Sequence, residues 1–532
     1  MKMCRVIKCS CGLRVFESVV SLIRSFNWAA TMAYIKTGGV FTVLNLKMFI
    51  NGEWMDSLSK QKSQVVNPAN GKFIAEAPKG NAEDTRMAID AARTAFDSGI
   101  WSDLPASERA SYLFKIAETL EERASELSQL ETANTGKPLR EAEFDIADAV
   151  DCFRYYAGLV TKPDGQTYPV SGPVQAMVVR EPVGVCGLIA PWNFPLLTGA
   201  WKIAPSLAAG NTIVFKPAGI TPITTVKLFE IIQEVGIPDG VANLVMGGGG
   251  TVGNELAESD KVDMVSFTGS TETGRNIMKT AAGNIKNIAL ELGGKSPNIV
   301  FADADFETAV DYALYGIFVN SGQVCNAGSR LLLEESIHDK FIERLVEKAK
   351  RIRVGPGDQP STEMGALVSE DHMNEVLNYI QLGIEEGAKL ACGGKRITSD
   401  GLENGYFVEP TIFVDTKPDM RIVQEEIFGP VLTVQKFKDE AEAIQLANDT
   451  PYGLAAGVFS QDGAKALRVI KKIKAGITWI NAYNLAYNEA PWGGYKQSGI
   501  GRGLGTFGLD EFSEVKQINI NLEVEPTKWF DH

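Results

Sequence analysis

Histidine is scarce in this sequence. Its 532 residues include three histidines, His338, His372 and His532, and no two of them share a metal-ligand spacing. Ser-His-Asp catalysis, Cys-His protease chemistry and histidine-based zinc hydrolysis are therefore disfavoured. A nucleophile in this chain would need a carboxylate or water as its base.

Cysteine is also sparse, with seven residues that form no CxxC pair and no dense framework. Three lie near the start of the chain, and four are well separated in its main part: Cys152, Cys186, Cys325 and Cys392. This pattern predicts no metal site and no disulfide scaffold, and it is typical of a reduced, cytoplasmic protein.

Positive charge is in deficit. The chain has 52 Lys and Arg against 66 Asp and Glu, a net charge of -14, with a pI near 5.0. Nucleic acids and anionic membranes both attract cationic surfaces, so neither is expected as a partner. Hydrophobic residues make up 45% and charged residues 22%, as in a soluble globular protein.

Residues 1–47 depart from this balance, because they hold seven basic residues and the single acid Glu17. Two interpretations stay open: a reading frame that starts too early, with the true start at Met48, or a basic targeting segment. We expect a poorly ordered leader in either case.

The remaining chain predicts an α/β fold. A helical pattern covers 81–157, and short apolar runs alternate with helices from Val183 to about Asn481. We expect two Rossmann-like parallel-sheet domains and a small strand arm for oligomerisation. The predicted boundaries are a leader at 1–47, a cofactor-binding domain at 48–162 and 182–293, a catalytic domain at 294–513, and an arm at 163–181 and 514–525.

Glycine loops offer weak evidence for a nucleotide site. Gly248-x-Gly250-x-x-Gly253 fits a dinucleotide fingerprint, but the same spacing recurs from Gly503. A third loop, Gly269 to Gly274, lacks the Lys-Ser/Thr of a P-loop, so an NTPase is disfavoured. The helix that follows this loop could hold a pyrophosphate at its N-terminus, although taken alone the loop is explained better by plain turn glycines.

Two further residues are candidates for chemistry. Cys325 has small polar neighbours and a predicted helix start, which would lower its thiol pKa, although a lone cysteine is commonly inert and buried. Glu291 ends an apolar run and should face the carboxyl ends of the strands, although it could simply cap a helix or be solvated.

Seven motifs in a fixed order connect these features. They are Pro191–Pro195, Phe215–Ala218, Phe267–Ser270, Leu290–Lys295, Gly322–Cys325, Glu425–Pro430 and Pro491–Gly499. Together they closely resemble the NAD(P)-dependent aldehyde dehydrogenase superfamily from about Phe49 onward, and most closely its betaine-aldehyde and aminoaldehyde branch.

The resemblance implies a covalent mechanism. Cys325 would attack the aldehyde to form a thiohemiacetal and then, after hydride transfer, a thioester. The Asn193 side chain and the Cys325 backbone N–H would stabilise the oxyanion, and Glu291 would activate the hydrolytic water.

The resemblance also implies a bound NAD or NADP. Lys216 would bond the adenosine ribose, Gly269 and Ser270 would face the pyrophosphate, and Glu426 would hold the nicotinamide ribose near Phe428. The implied cofactor-binding set is Trp192, Lys216, Gly269, Ser270, Gly274, Glu426 and Phe428.

An aromatic tunnel for a small-molecule aldehyde is implied as well, with Glu489 near its mouth. Its members would be Phe194, Trp201, Tyr483, Tyr487 and Trp492. Aromatic faces attract ammonium groups, which favours a cationic aldehyde, but a generic apolar tunnel for neutral aldehydes stays open. Ile477 stands where the betaine-using branch tends to have a smaller residue, which would crowd Trp492.

Two positions depart from the family pattern. In the family, an acid usually stands three residues after the lysine that corresponds to Lys216, and here that position is Gly219. The loss of this acid predicts that the enzyme uses both NAD and NADP. Gly503 replaces an acid near the site, which could slow deacylation.

We expect a homodimeric or homotetrameric aldehyde dehydrogenase, with a CoA-acylating enzyme or a catalytically silent binding protein as rival hypotheses.

Overall fold

The computed structural model of the protein describes residues 43–162 and 165–530. The leader prediction for residues 1–47 therefore lies almost wholly outside the described residues. From Asn45 onward the described chain forms one compact unit. No helix within it has the length and apolar character needed to cross a membrane.

The first part of the unit contains short strands followed by a helical region. The strands are β1 (Leu44–Asn45), β2 (Met48–Ile50), β3 (Glu53–Met55), β4 (Lys62–Asn67) and β5 (Lys72–Pro78). The helices are α1 (Ala82–Asp97), α2 (Ala106–Glu122), α3 (Ala124–Thr135) and α4 (Leu139–Leu159).

Within the helical pattern predicted at 81–157, an apolar face is buried, but it belongs to two helices. Leu113 and Leu120 lie on α2 and Leu127 on α3, and each is at most 1% exposed. The chain breaks at Arg123, whose φ of -101° and ψ of 9° are not helical. Helix α3 ends where Gly136 takes the left-handed φ of 86° that a side chain disfavours.

An eight-stranded sheet follows. Its parallel strands are β8 (Val185–Ile189), β9 (Thr212–Lys216), β10 (Ala242–Leu244), β11 (Met264–Thr268) and β12 (Asn287–Glu291). The spatial order is β20-β12-β11-β8-β9-β10-β2-β3, with β20 (Gly499–Ile500) antiparallel to β12. The order reverses between β8 and β11, and the carboxyl ends at such a reversal form a ligand crevice.

Helices cover this sheet on both faces, which explains why its central parallel strands β8, β9 and β10 are buried throughout. They are α5 (Pro195–Ala209), α6 (Ile223–Glu234), α7 (Asn254–Glu258) and α8 (Thr271–Ala281). Ser270 caps α8 by accepting a hydrogen bond from the Thr273 N–H.

A second sheet has seven strands. They are β13 (Pro297–Val300), β14 (Arg330–Glu334), β15 (Lys389–Cys392), β16 (Thr411–Val414), β17 (Val431–Phe437), β18 (Ala455–Phe459) and β19 (Ile477–Ile480). Their order is β15-β16-β17-β14-β13-β18-β19, and all pairs are parallel except the edge pair of β15 and β16. The two mostly parallel sheets confirm the predicted α/β class.

The remaining helices accompany this second sheet and the end of the chain. They are α9 (Phe306–Phe318), α10 (His338–Ala349), α11 (Glu370–Glu385), α12 (Arg421–Gln424), α13 (Glu440–Asn448), α14 (Gly463–Ile470) and α15 (Gly505–Glu511). Strand β20 lies between these elements in sequence but pairs with the first sheet, so the two sheets do not divide the chain cleanly at residue 293.

Three strands form a separate antiparallel sheet. They are β6 (Gln166–Tyr168), β7 (Val174–Pro182) and β21 (Ser513–Asn521), in the order β21-β7-β6. The β21–β7 register runs from Ser513 opposite Pro182 to Asn521 opposite Val174. The two segments predicted to form an arm thus share one sheet.

Candidate active site

A cavity of about 1030 Å³ lies where the carboxyl ends of the first sheet meet the loop before β14. Pro191 to Phe194 enter it directly after β8, Thr268 and Glu291 end two neighbouring strands, and Cys325 comes from the loop. Asn193, Glu291 and Cys325, the three residues predicted to be catalytic, therefore line one cavity.

Asn193 is held in place from both sides. It is 5% exposed, and its side-chain amide donates to the Gln323 carbonyl over 2.8 Å. The Asn193 carbonyl accepts hydrogen bonds from Lys137 Nζ at 2.9 Å and from Asn320 Nδ2 at 3.2 Å. An amide fixed in this way is pre-organised to donate its second hydrogen into the cavity.

The loop that carries Cys325 is tightly constrained. A 3-10 turn at Val319–Gly322 follows α9, and both Asn320 and Ser321 adopt left-handed φ angles, of 46° and 56°. Gly322 has a φ of 74°, and a Cβ there would lie 2.1 Å from the Gly429 carbonyl oxygen, which leaves room for no side chain.

The prediction of a helix start at Cys325 is wrong, because the residue lies in a turn after the 3-10 segment. Its environment also differs from the predicted one. Burial and the nearby Glu426 and Glu291 carboxylates raise the pKa of the Cys325 thiol to about 12. Without a helix N-terminus to favour the thiolate, ionisation of this thiol requires a proton acceptor.

Glu291 supplies a carboxylate suited to that task. It is the last residue of β12, in register with Thr268 of β11. Its Oε2 atom is buried and has no hydrogen-bond partner among the described residues. Burial and the Glu511 carboxylate raise the pKa of Glu291 to about 8, against the opposing effects of Lys202 and Arg502. This carboxyl group can take up a proton near neutral pH.

Five of the seven residues predicted to bind the cofactor line the same cavity: Trp192, Gly269, Ser270, Glu426 and Phe428. Helix α8 presents its N-terminus there through Ser270, and N-terminal N–H groups attract anions. Glu426 accepts a hydrogen bond from the Gly294 N–H over 3.0 Å. The Trp192 ring meets the Phe428 ring edge to face at 5.1 Å.

Lys216 and Gly274 are not among the residues that line it. Lys216 ends β9, its Nζ donates to the Pro217 carbonyl over 3.1 Å, and burial lowers its pKa to about 8. Gly274 lies in α8, where a Cβ would come within 2.6 Å of the Leu292 side chain. That glycine permits close packing of α8 on the segment after β12.

The Gly248–Gly253 loop follows β10, the third parallel strand along the chain, and leads into a π-helical turn at Gly249–Gly253. Side chains added at Gly249 or Gly250 would meet no atom within 4 Å, so the backbone there is open. An open backbone loop and a helix N-terminus at one sheet edge, with the Glu426 carboxylate in the same cavity as that helix, fit a dinucleotide.

The predicted aromatic tunnel is only partly formed. Phe194, Trp201 and Trp492 line the cavity, and the two tryptophan rings lie 5.3 Å apart. Tyr483 does not line it, since it is fully buried and its hydroxyl donates to the Asn326 carbonyl over 3.1 Å. Tyr487 also does not line it, because it points outward and is 57% exposed.

Ile477 and Glu489 likewise do not line the cavity. Ile477 packs against the buried cluster of Ala455, Trp479 and Tyr483. The bulk of Ile477 is therefore not presented to a substrate in the cavity.

Helix α4 contributes three acidic residues of the site that were not predicted: Glu141, Asp145 and Asp148. Their spacing puts them on one face of that helix, a pattern present in the sequence but hidden by the abundance of acids there. Asp145 pairs with the buried Lys137, and Asp148 accepts a hydrogen bond from Asn488 Nδ2 over 2.6 Å.

Within residues 43–162 and 165–530 no group of His, Cys, Asp and Glu is arranged to hold a metal ion.

Comparison with known proteins agrees with this geometry. The sequence profile of the aldehyde dehydrogenase family matches residues 54–518. The chain is 53% identical over 487 residues to betaine aldehyde dehydrogenase from Bacillus subtilis (strain 168), covering 91% of this chain and 99% of that protein. It is 46% identical to human retinal dehydrogenase 2 over 90% of this chain and 92% of that protein.

A solved structure is similar as well. Betaine aldehyde dehydrogenase from Staphylococcus aureus, in complex with NAD+, superposes with a TM-score of 0.91 at 48% identity, covering 92% of this chain and 97% of that chain. The chain belongs to the aldehyde dehydrogenase family. It is an oxidoreductase that acts on aldehydes.

Proposed function

We propose that the protein oxidises an aldehyde to its carboxylic acid through covalent intermediates on Cys325, with NAD or NADP as cofactor. The observation that supports this best is the shared cavity, where Cys325, Asn193 and the unpartnered Glu291 Oε2 meet the α8 N-terminus and Glu426. The likeness to a betaine aldehyde dehydrogenase in complex with NAD+ supports the same reaction.

In the first step the Cys325 sulfur attacks the aldehyde carbon, and the thiol proton passes to Glu291. Asn193 keeps one amide hydrogen on the Gln323 carbonyl and offers the other to the developing oxyanion, together with the Cys325 N–H. The product of this step is a thiohemiacetal with an oxyanion held by two donors.

A bound NAD or NADP, held by Ser270 and Glu426, would supply the acceptor for the hydride of the thiohemiacetal carbon. Glu291 then loses the thiol proton to solvent and is ionised again. The Cys325 thioester that remains is hydrolysed by water, from which Glu291 removes a proton. Collapse of the tetrahedral species releases the product as a carboxylate, and the proton of the new acid restores the Cys325 thiol. The retained Glu291 favours water over coenzyme A as the acyl acceptor.

We favour a cationic aldehyde such as betaine aldehyde or another aminoaldehyde as the substrate. Trp201 and Trp492 present aromatic faces, and Glu141 and Asp148 add carboxylates to the same cavity. Burial raises the pKa of Asp148 to about 6, so this group is largely ionised above neutral pH. The 46% identity to retinal dehydrogenase 2 favours a second candidate, a broader enzyme for neutral aldehydes.

Use of both cofactors follows from Gly219. Its surroundings are open, since a Cβ there would meet no atom within 4 Å, and no carboxylate projects from this position. A 2′-phosphate would thus escape the repulsion that an acid at this position exerts.

The three-stranded arm sheet is proposed to join subunits of a homodimer or homotetramer. Strand β21 is an outer strand of that sheet, and Val515, Ile520 and Leu522 expose 63%, 42% and 63% of their surface. Apolar residues on a sheet edge favour pairing with another copy.

The free cysteines Cys152, Cys186, Cys325 and Cys392 are compatible with the cytoplasm, where we propose that the enzyme acts.

Substrate choice can be tested by a panel of kcat/KM values for betaine aldehyde, an aminoaldehyde, and aliphatic and aromatic aldehydes. The proposal predicts the largest value for a cationic aldehyde. Asp148→Asn should lower that value more than the values for neutral aldehydes. Equal losses across the panel, or a preference for neutral aldehydes in the wild type, would contradict the cationic assignment.

A further inference from the structure

Glu511 is a half-buried carboxylate that the proposed reaction leaves without a role. It is the last residue of α15, close to the end of the chain, yet its carboxylate interacts with Glu291. Its Oε1 accepts a hydrogen bond from the Arg502 N–H over 3.1 Å.

The local backbone explains how so distant a residue reaches Glu291. Strand β20 pairs with β12, with Gly499 opposite Glu291, so the chain after β20 runs beside the catalytic carboxylate. Gly501 has no side chain, and a Cβ there would lie 1.8 Å from Glu511 Oε1. The Glu511 carboxylate therefore occupies the space that this glycine leaves.

Lys202 of α5 is the cation with the largest charge effect on both acids. It is 5% exposed, and its Nζ donates to Ser266 Oγ over 2.9 Å. Burial lowers the pKa of Lys202, while Glu291 and Glu511 both act to raise it. Burial raises the pKa of Glu511, and Lys202 opposes that rise. Arg502 and, from α4, Tyr156 are the other titratable groups that interact with Glu511.

We propose that Glu511 receives the proton that Glu291 takes from the hydrolytic water and passes it to solvent. This role rests on the proposed function. Both side chains are half-buried, but Glu291 Oε2 is itself buried and has no hydrogen-bond partner among the described residues, so the Glu511 carboxylate offers its proton a second site on the way to solvent.

The proton balance is complete. Water loses a proton to the Glu291 carboxylate as its oxygen bonds to the thioester carbon. The protonated Glu291 then transfers that proton to the Glu511 carboxylate, through intervening water beside the Lys202 ammonium. Solvent takes it from Glu511, and Glu291 returns to its ionised form for the next turnover.

Gly503 makes this assignment testable. Its backbone N–H bonds to the Glu291 carboxylate, but it has no side chain to carry a proton. A Cβ at Gly503 would have only the Trp492 carbonyl oxygen nearby, at 3.9 Å, so a glutamate can be introduced there. An acid at residue 503 could then replace a missing acid at residue 511.

The experiment compares the wild type, Glu511→Gln, Glu511→Gln with Gly503→Glu, and the exposed control Glu523→Gln. Rapid mixing with NAD and betaine aldehyde gives the first-turnover burst of NADH and the steady rate. Glu511→Gln keeps the Arg502 hydrogen bond through its amide oxygen. It should retain the burst and lower kcat by about tenfold.

In the double variant, Gly503→Glu should restore most of the lost rate, and Glu523→Gln should match the wild type. The kcat–pH profile should lose its Glu511-dependent limb in Glu511→Gln and regain a limb in the double variant. An unchanged kcat in Glu511→Gln overturns the proposal. A reduced NADH burst in Glu511→Gln also overturns the proposal, because it marks a structural role for Glu511. The same holds if Gly503→Glu fails to restore the kcat that Glu511→Gln loses. Absence of NADH with the wild type would instead refute the proposed function.

Discussion

Replacement of Gly219 by glutamate should convert a dual-cofactor enzyme into one that prefers NAD. Gly219 is exposed, has no left-handed φ angle, and offers open space to a side chain. The fold should therefore tolerate the substitution. The new carboxylate would lie three residues after Lys216, where it can accept a hydrogen bond from the adenosine ribose.

The size of the effect follows from two contributions. Like charges about 5 Å apart at a partly exposed site repel by about 1–3 kcal/mol, which weakens NADP binding. A hydrogen bond from a ribose hydroxyl to a charged acceptor contributes about 1.5–3 kcal/mol in favour of NAD. Because the position is exposed, we expect a combined shift of about 2–4 kcal/mol, which is roughly 30- to 900-fold in the ratio of kcat/KM values.

The assay measures kcat/KM for NAD and NADP at saturating aldehyde in the wild type, Gly219→Glu and Gly219→Gln. The wild-type ratio should lie within about tenfold of unity. Gly219→Glu should act mainly by raising the KM for NADP, and neutral Gly219→Gln should shift the ratio much less. A wild-type preference for NAD of about a thousandfold, or equal shifts in the two variants, would refute the charge argument.

Three further predictions concern the nucleophile, the base and the arm. Cys325→Ala should lower kcat by about 10⁴-fold or more with NAD binding intact, whereas Cys392→Ala should retain activity; near-normal turnover without Cys325 would exclude the covalent route. Because Glu291 must be ionised to act as a base and its pKa is raised to about 8, kcat should climb with pH between about 6 and 8, and a flat profile there would contradict this role. Deletion of residues 514–532 removes nearly all of β21 and should yield monomers or insoluble protein, so a soluble, fully assembled truncation in sedimentation would refute the arm assignment.

Much of the fold could be predicted because its signals are local. The alternation of apolar strands and helices after Val183 reflects parallel strands buried on both faces. The apolar runs at 211–216 and 262–268 predict two of these strands, and β9 and β11 begin within one or two residues of them. The break at Arg123 between α2 and α3 was missed, because an uninterrupted apolar face does not reveal a change in helix direction.

The candidate site was predictable where motifs fix neighbouring residues. Asn193, Glu291 and Cys325 each follow or end a strand or turn, and the structure brings them together. The thiol environment of Cys325 was not predictable, because it depends on carboxylates from distant segments. Tyr483 illustrates a second limit, since an aromatic residue in a tunnel motif can pack behind the wall instead of lining it.

The position of Glu511 beside Glu291 is the feature of the site that the sequence reveals least. It is separated from Glu291 by 220 positions in the chain, and no spacing rule relates them. The two carboxylates meet because β20 pairs with β12 and because Gly501 leaves room for a side chain.

The central claim is that an acyl group is carried on Cys325 and released by Glu291. It is tested most directly by mixing Glu291→Gln with NAD and betaine aldehyde, quenching in acid, and measuring the intact mass of the protein. Because Glu291 also takes the thiol proton, the account predicts a slowed burst of NADH that reaches the amount of enzyme present, and a matching thioester adduct that maps to Cys325. Steady turnover without an adduct, or an adduct on another residue, would contradict it.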